Sequence, residues 1–475
     1  FSHIGSRGGR MFRYLERHFS RIWLLVFSVD FLILLSVVVM ALKTIAVRPG
    51  NTDMGRIQLS YAYFIAFILL SLIMLFINEL YSIEKKYQPW LLAFKCFISF
   101  TLASFVCYFL FHRVLFREIL FHFTCTLSLI ACGSILCWRF MSYRIIPRIN
   151  LQHRVLFWGT DELNKAVVRE ILADAHPKFK VVGFVDSNPA LVGSVIMKQK
   201  VLGRIKDLDS IIKTEKVEKL VTPCSQARGD FPAENLVDLK FKGIEVLDVH
   251  TFYERLKGKI LLNGLRPSWL IFAQGFKKNK LTKLQKRTFD ILISSIGLLV
   301  TLPVSMITAL LIKLESKGPV IYQQERVGED GRIFNLFKFR SMRKDAEQDT
   351  GPVWAGKNDH RTTFIGKFIR KVRIDEIPQM VNVLKGDMSF VGPRPERPYF
   401  VEMLNKKIPY YNQRHSIKPG ITGWAAVNYS YGATIEDAVE KLQYDLYYIK
   451  NYSLSLDVII ILKTIATVLG RKGSR

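Results

Sequence analysis

Asp290-Ile-Leu-Ile-Ser-Ser-Ile-Gly-Leu-Leu-Val-Thr-Leu-Pro303-Val-Ser-Met-Ile-Thr-Ala-Leu-Leu-Ile-Lys-Leu314 is the stretch on which the fold turns. Its run of about two dozen largely apolar residues is long enough to cross a bilayer as a helix. Pro303 falls near the middle, where it removes a backbone hydrogen bond and bends a helix. Two architectures follow. Either the run is a plain span, or it is a re-entrant helix over 290–314 that turns back at Pro303 and keeps both flanks on one side. A basic run, Lys277-Lys-Asn-Lys280 through Lys286-Arg287, leads into it. Lys286 and Arg287 are expected to anchor the helix at the interface.

Upstream, the chain reads as a membrane protein. Of 475 residues, 49% are hydrophobic, and the net charge is +28. That charge would attract nucleic acid or anionic lipid alike, but the apolar segments favour lipid, and no nucleic-acid partner is expected. Apolar runs occur at about 22–47, 60–81, 90–111 and 118–141, each near the length of a span. The first is too long for a cleavable signal peptide. Arg7, Arg10, Arg13, Arg17 and Arg21 precede the first run, and Arg139, Arg144, Arg148 and Arg154 flank the fourth. Residues 1–20 and the chain after 141 are therefore expected in the cytoplasm. Asp30 would be costly facing lipid and is expected to pair with a neighbouring helix. Cys96, Cys107, Cys125, Cys132 and Cys137 lie in the runs and read as packing residues, with Cys224 outside them.

Residues 151–250 change to a soluble α/β pattern. Strands are expected at Arg154–Thr160, Lys180–Asp186, Val217–Thr222 and Ile244–Val249, with a helix over Glu162–Ala173. Together they predict a small Rossmann-like domain. Only Gly159 stands where a dinucleotide fingerprint has three glycines, so the domain reads as regulatory or scaffolding. Asp207-Leu-Asp209 reads as a helix start. Residues 251–280 read as a linker.

Downstream of the broken helix, cations and tight turns cluster. Gly318-Pro-Val-Ile-Tyr-Gln323-Gln-Glu-Arg326-Val-Gly328 is followed by Lys338-Phe-Arg340-Ser-Met342 and then by Arg370-Lys-Val-Arg373-Ile-Asp375-Glu376-Ile-Pro378-Gln379. Next come Asn382, Val391-Gly-Pro393-Arg394-Pro395 and Lys418-Pro-Gly420-Ile-Thr-Gly423-Trp424. Asp-Glu pairs alone are common on solvated helix faces. Adjacent carboxylates between arginines, ahead of a rigid turn carrying another arginine, suit phosphate chemistry on a metal, because guanidinium groups take phosphate oxygens bidentately.

From about Lys283 to Arg475 these motifs resemble, in order and spacing, the bacterial sugar transferase family, the polyprenyl-phosphate hexose-1-phosphate transferases, which are monotopic phosphoglycosyl transferases. With its hydrophobic N-terminal half the chain is similar to their long form. Ala426-Val-Asn428-Tyr-Ser-Tyr431-Gly432 and Tyr444-Asp445-Leu-Tyr447-Tyr448-Ile-Lys450 resemble the exosortase-associated exopolysaccharide subgroup. The resemblance implies a fold of membrane α plus α/β: a four-helix bundle over 21–141, the Rossmann-like domain, and a catalytic domain over 281–475 with the re-entrant helix.

It also implies the reaction, in which a hexose-1-phosphate moves from a UDP-hexose to undecaprenyl phosphate at the bacterial inner membrane, releasing UMP. Asp375 is implied as nucleophile and Glu376 as the Mg²⁺ ligand. Lys338, Arg340, Arg370, Arg394 and Gln379 are the candidate phosphate and substrate contacts, and Pro303 the membrane kink. A homodimer is compatible with the exposed surfaces. Relatives carry Ser-Pro where this chain has Leu302-Pro303, and Asn-Asp-Pro-Arg where it has Asn358-Asp359-His360-Arg361. Arg373 beside the nucleophile is expected to lower its pKa. A nucleotide-sugar-modifying enzyme, which would want a full glycine fingerprint, and a non-enzymatic scaffold of a polysaccharide complex are the alternatives.

Overall fold

The computed structural model describes residues 21–46, 54–78, 80–81, 88–111, 117–145, 152–174, 179–223, 233–276, 279–343, 361–429, 432 and 434–469. The expectations placed on Asn358–His360, Cys224 and residues 1–20 lie outside these. The chain divides into two compact units, 1–256 and 257–475.

In the first unit the apolar runs are helices: α1 (Arg21–Ala46), α2 (Met54–Ile77), α3 (Pro89–Phe111) and α4 (Arg117–Ile145). Leu25–Leu42, Pro89–Phe111 and Thr124–Ser142 are long and apolar enough to cross a membrane, and Tyr61–Ile77 is a shorter apolar helix. Leu34, Phe67, Leu75, Phe100 and Ile135 are buried at the bundle's centre. Asp30 is buried there too, and its Oδ2 meets Arg139 Nη2 at 2.5 Å. The expected partner is thus an arginine counted as a membrane flank; the acid draws it inside. Tyr81 covers the guanidinium with its ring, 5.0 Å away.

Because each charge neutralises the other, Asp30→Asn alone is expected to lower thermal stability in lipid by about 1–2 kcal/mol. Arg139→Gln added to it should recover most of the loss. An additive double variant would show that the pair is not coupled.

The α/β part holds a six-stranded sheet in the order β3-β4-β2-β1-β5-β6. Its strands are β1 (His153–Trp158), β2 (Phe179–Val185), β3 (Val195–Ile196), β4 (Gln199–Gly203), β5 (Lys219–Thr222) and β6 (Glu245–Asp248). Only β3 pairs antiparallel. Helices α5 (Glu162–Leu172), α6 (Leu208–Thr214), α7 (Ala233–Phe241) and α8 (Val249–Lys257) complete it. Asp207 does open a helix: its Oδ2 accepts from the backbone N–H of Arg204 at 3.1 Å.

Two points depart from expectation. The β3–β4 hairpin, too short to show a period, is additional. And residues 251–280 are not a free linker: Phe252 on α8 is fully buried between Phe157 and Phe179, at ring distances of 5.5 and 4.8 Å. Burying one such ring contributes roughly 2 kcal/mol, which outweighs the charge around it.

In the second unit, Ile260, Leu262, Leu265 and Trp269 of the same stretch join the core of the unit that follows. There α9 (Pro267–Phe272) precedes α10 (Lys280–Glu315), then come β7 (Ile321–Val327), β8 (Ile333–Phe339), α11 (Phe364–Lys371), α12 (Gln379–Lys385), β9 (Ser389–Val391) and α13 (Pro398–Lys407). β10 (Gly420–Thr422), α14 (Trp424–Asn428), α15 (Ile435–Lys450) and α16 (Leu454–Leu469) close the unit. β7 and β8 form an antiparallel hairpin, and β9 pairs parallel with β10.

α10 is one helix of 36 residues that runs through Pro303, starting well before the expected apolar segment. Thr301 and Thr308 donate to the carbonyls of Gly297 and Val304 at 2.6 and 2.8 Å, hydroxyl bonds that bracket the proline. Ile296, Leu299, Val300, Met306, Ile307 and Leu310 are exposed along it. By length and composition it too could cross a membrane.

Both ends of α10 are gripped by the same unit. At the start, Arg287 donates to the carbonyls of Val383 and Leu384 at 2.5 and 2.7 Å. Lys286 is buried against Asp457 of α16 at 2.8 Å. Asp290 accepts from the Phe390 N–H at 3.1 Å. At the end, Ile312 packs with Phe339 and Ile369, and Glu315 accepts from the Ile365 N–H at 3.1 Å. Of the two residues expected at the lipid headgroups, Lys286 is instead buried, and Arg287 is half-buried with its guanidinium turned to backbone carbonyls. Unfilled carbonyls at the end of α12 and a buried carboxylate attract them more strongly than water does.

Candidate active site

Asp375 and Glu376 share one 3-10 turn, Ile374–Glu376, between α11 and α12. The residue before it, Arg373, is left-handed at φ 58°. A left-handed residue ends an α-helix and redirects the chain, at a cost of roughly 1–2 kcal/mol for a side chain other than glycine. The redirection turns both carboxylates inward, and each is only 8% exposed. The solvated acidic pair that the bare sequence allows is thus absent.

Around the pair stand Lys338 from β8, Arg370 from the last turn of α11, Arg373, and Arg394 from the loop after β9. Arg394 Nη2 donates to Glu376 Oε1 at 2.7 Å, and Arg373 Nη1 to Glu376 Oε2 at 3.3 Å. The two carboxyls diverge. Burial, and then repulsion from Glu376, raise Asp375 to about 6 against the pull of Lys338, Arg370 and Arg394. Burial opposes ionisation of Glu376 as well, but Arg394, Lys338 and Arg373 together hold it low, at about 2. Burial and the neighbouring Arg394 bring Lys338 down to about 8.

Arg373 therefore acts on Glu376, and Asp375 moves opposite to the direction expected from Arg373. Neighbouring carboxyls pushed apart in this way take different roles: Asp375 is the more basic, Glu376 a fixed anion.

Arg394 is held through its main chain. Gly392 N–H donates to Thr422 O, and Gly420 N–H to Pro393 O, both at 2.8 Å. The Arg394 carbonyl accepts from Arg414 at 3.0 Å and the Pro395 carbonyl from Arg326 at 3.0 Å. A Cβ on Gly420 would lie 2.0 Å from the nitrogen of Gly392. The two glycine motifs, distant in sequence, are one backbone-to-backbone contact.

Residues 281–471 match the model of the family described as bacterial sugar transferase. Three relatives give the scale of the similarity. A UDP-N-acetylgalactosamine-undecaprenyl-phosphate N-acetylgalactosaminephosphotransferase of Aeromonas hydrophila is 45% identical over 232 residues, 49% of this chain and 54% of that protein. A UDP-glucose:undecaprenyl-phosphate glucose-1-phosphate transferase of Escherichia coli K12 is 35% identical over 271 residues, 55% of this chain and 57% of that protein. The exopolysaccharide production protein PSS of Rhizobium leguminosarum bv. phaseoli is 41% identical over 191 residues, 39% of this chain and 96% of that protein. This chain belongs to the bacterial sugar transferase family. Its matches span about half the length of the first two relatives.

The remaining candidates separate. Asp375, Glu376, Lys338, Arg370 and Arg394 converge. Gln379 is buried at the first position of α12, one turn beyond the pair. Arg340 is elsewhere: its guanidinium donates to the Ser316 and Lys317 carbonyls at 2.8 and 3.2 Å, closing the C-terminal end of α10. Asn382 is a positioning residue. Its Nδ2 donates to Asn335 O and its Oδ1 accepts from Phe337 N–H, at 2.8 and 2.9 Å, fixing the strand that carries Lys338.

Arg414 was not singled out by its sequence context. It is buried with Asp445 at 2.9 Å and Tyr411 at 2.6 Å. Asp445 lies 31 positions away, so no local pattern announces the pair.

Among the described residues no group of three or more His, Cys, Asp or Glu side chains could cage a metal. The residues present fit a magnesium site only in the form that ion favours with phosphate substrates, one or two carboxylates plus phosphate and water oxygens. Glu376 would then be its protein ligand.

Proposed function

We propose that the chain transfers a hexose-1-phosphate from a UDP-sugar to a polyprenyl phosphate, giving the polyprenyl-diphosphate sugar and UMP. The observation that carries this is the divided carboxylate pair: Glu376 is bound to arginines, while Asp375 beside it stays basic, near an excess of cations. An Asp375 oxygen attacks the β-phosphorus, forming an O–P bond as the bond to the bridging oxygen breaks and UMP leaves with that oxygen. The sugar phosphate is then on Asp375 as a mixed anhydride. A phosphate oxygen of the lipid attacks the same phosphorus and restores the carboxylate. Lys338, Arg370 and Arg394 neutralise the phosphoryl oxygens. Glu376 would hold Mg²⁺, which when bound neutralises diphosphate charge.

A re-entrant α10 is supported by the contacts at both its ends. A helix that crossed fully would carry its ends roughly 30 Å apart, on opposite sides of the hydrocarbon, yet one unit grips both. The exposed apolar residues between them suit the interior of a leaflet, and α16, with Ile461 and Lys463 in its sequence, suits the interface. Catalysis then lies on the cytoplasmic face of the inner membrane, where nucleotide sugars meet lipid phosphate. The order of the α/β sheet supports a Rossmann-like reading without dinucleotide. Asp186, at the end of β2, accepts from Thr160 N–H and Oγ1 at 3.0 and 2.8 Å, closing the loop a pyrophosphate would enter. The names of the relatives carry N-acetylgalactosamine and glucose, so the sugar is found by screening.

The test incubates the full chain in nanodiscs with a panel of UDP-hexoses, Mg²⁺ and undecaprenyl phosphate. UMP release from at least one donor, with a stoichiometric burst before acceptor is added, is expected. No release from any donor refutes the transferase reading, and release without a burst refutes the covalent step.

A further inference from the structure

We infer that Arg373 is a placeholder cation: it occupies one oxygen of Glu376 and yields that oxygen to a divalent cation when the donor diphosphate arrives. The inference rests on the reading above, in which Glu376 is the metal ligand. Both Glu376 oxygens are engaged, Oε1 by Arg394 at 2.7 Å and Oε2 by Arg373 at 3.3 Å. A cation ligated by this carboxylate needs at least one of them vacated.

The two arginines are not equally easy to move. Arg394 stands on a loop whose carbonyls are tied by Gly420, Arg414 and Arg326. The two side chains are equally exposed, but Arg373 makes the longer contact, 3.3 against 2.7 Å, from a left-handed residue at a helix end. Charge sets the order of events. Among the described residues, the cations Lys338, Arg370, Arg373 and Arg394 stand around the two carboxyls of Asp375 and Glu376. This positive excess repels a free dication and attracts a diphosphate. Once the diphosphate is present, its oxygens offer a guanidinium a bidentate partner, which suits Arg373 better than one long contact to Glu376. Glu376 Oε2 would then be free to hold a cation, with the donor's phosphate oxygens supplying further ligands.

The device makes cation binding depend on the donor. It is tested on the full chain in nanodiscs with Mn²⁺ alone as probe, followed by the electron paramagnetic resonance signal of the free ion. In the absence of nucleotide sugar, Arg373→Gln is expected to bind Mn²⁺ about tenfold more tightly than the wild type, because one repelling, competing charge is gone. Arg373→Lys should stay near the wild type. The gain should vanish in Arg373→Gln/Glu376→Gln. An Arg373→Gln affinity equal to or below that of the wild type overturns the inference, as does a gain that survives loss of Glu376. Absence of UMP release from the wild-type chain sinks the transferase reading instead, on a readout separate from Mn²⁺ affinity.

Discussion

Asp375→Asn is expected to abolish UMP release, by at least about a thousandfold, while raising thermal stability. The amide has nearly the shape of the carboxylate but lacks the charge to attack phosphorus. Its effect on stability follows from the sign of the pKa shift. In the folded chain Asp375 titrates near 6, against an ordinary 3.8, chiefly through burial and then through Glu376. A raised acid binds its proton more tightly folded than unfolded. Stability therefore falls as pH rises from about 4 to about 6, and the whole penalty is present at pH 7. Asparagine removes it, a gain on the order of 1–3 kcal/mol.

Activity and stability should thus move in opposite directions, which a merely structural carboxylate would not produce. On the proposed reaction, the raised pKa puts an acid limb on the burst rate, which should fall as pH drops below about 6. Thermal unfolding of both forms at pH 7, with burst rates from pH 5 to 8, checks the three statements together. A destabilised Asp375→Asn would count against the raised pKa, and UMP release that persists in Asp375→Asn would count against Asp375 as the nucleophile.

The parts of this molecule legible in sequence are those that local chemistry decides. Apolar runs of membrane length become helices because backbone groups in lipid have no other partner. Asp375, Glu376 and Arg394 were picked out together by the resemblance of their motifs; that Gly392 and Gly420 bring two backbones into contact beneath Arg394 shows only in the fold. What stayed hidden was the destination of individual cations. Lys286, Arg287 and Arg340 are as basic in sequence as Lys338 and Arg394. Three of these five reach helix ends or a buried Asp457, and two reach the pair. Apart from Asp290, four residues beyond Lys286, their partners are carbonyls or acids far along the chain, so local sequence does not tell them apart. Asp30 was an intermediate case. Its need for a partner was readable from the price of a charge in lipid, but that Arg139 answers it depends on how α1 and α4 pack.

Arg414 is where the hidden part reaches function, and its removal is expected to be the most destabilising single change in the catalytic unit. Arg414→Met takes from buried Asp445 its hydrogen-bonded counter-charge, leaving only the weaker pull of Lys441, and takes a donor from the carbonyl of Arg394. Breaking a buried pair by deleting one partner costs about 3–5 kcal/mol, most of it the penalty on the charge left behind. Replacing both partners by apolar residues of similar size is often neutral. Arg414→Met/Asp445→Leu is therefore expected to regain most of the lost stability. It should not regain activity. The Arg394 carbonyl still lacks its donor, so the guanidinium at the other end of that residue is no longer fixed against Glu376 at 2.7 Å, and positioning errors of this kind lower rates by about a hundredfold. The loss should appear in kcat more than in KM for the donor, because the remaining cations still attract diphosphate. If the double variant recovers rate together with melting temperature, Arg414 only holds the core together, and the fixing of Arg394 lies in the glycine contact alone.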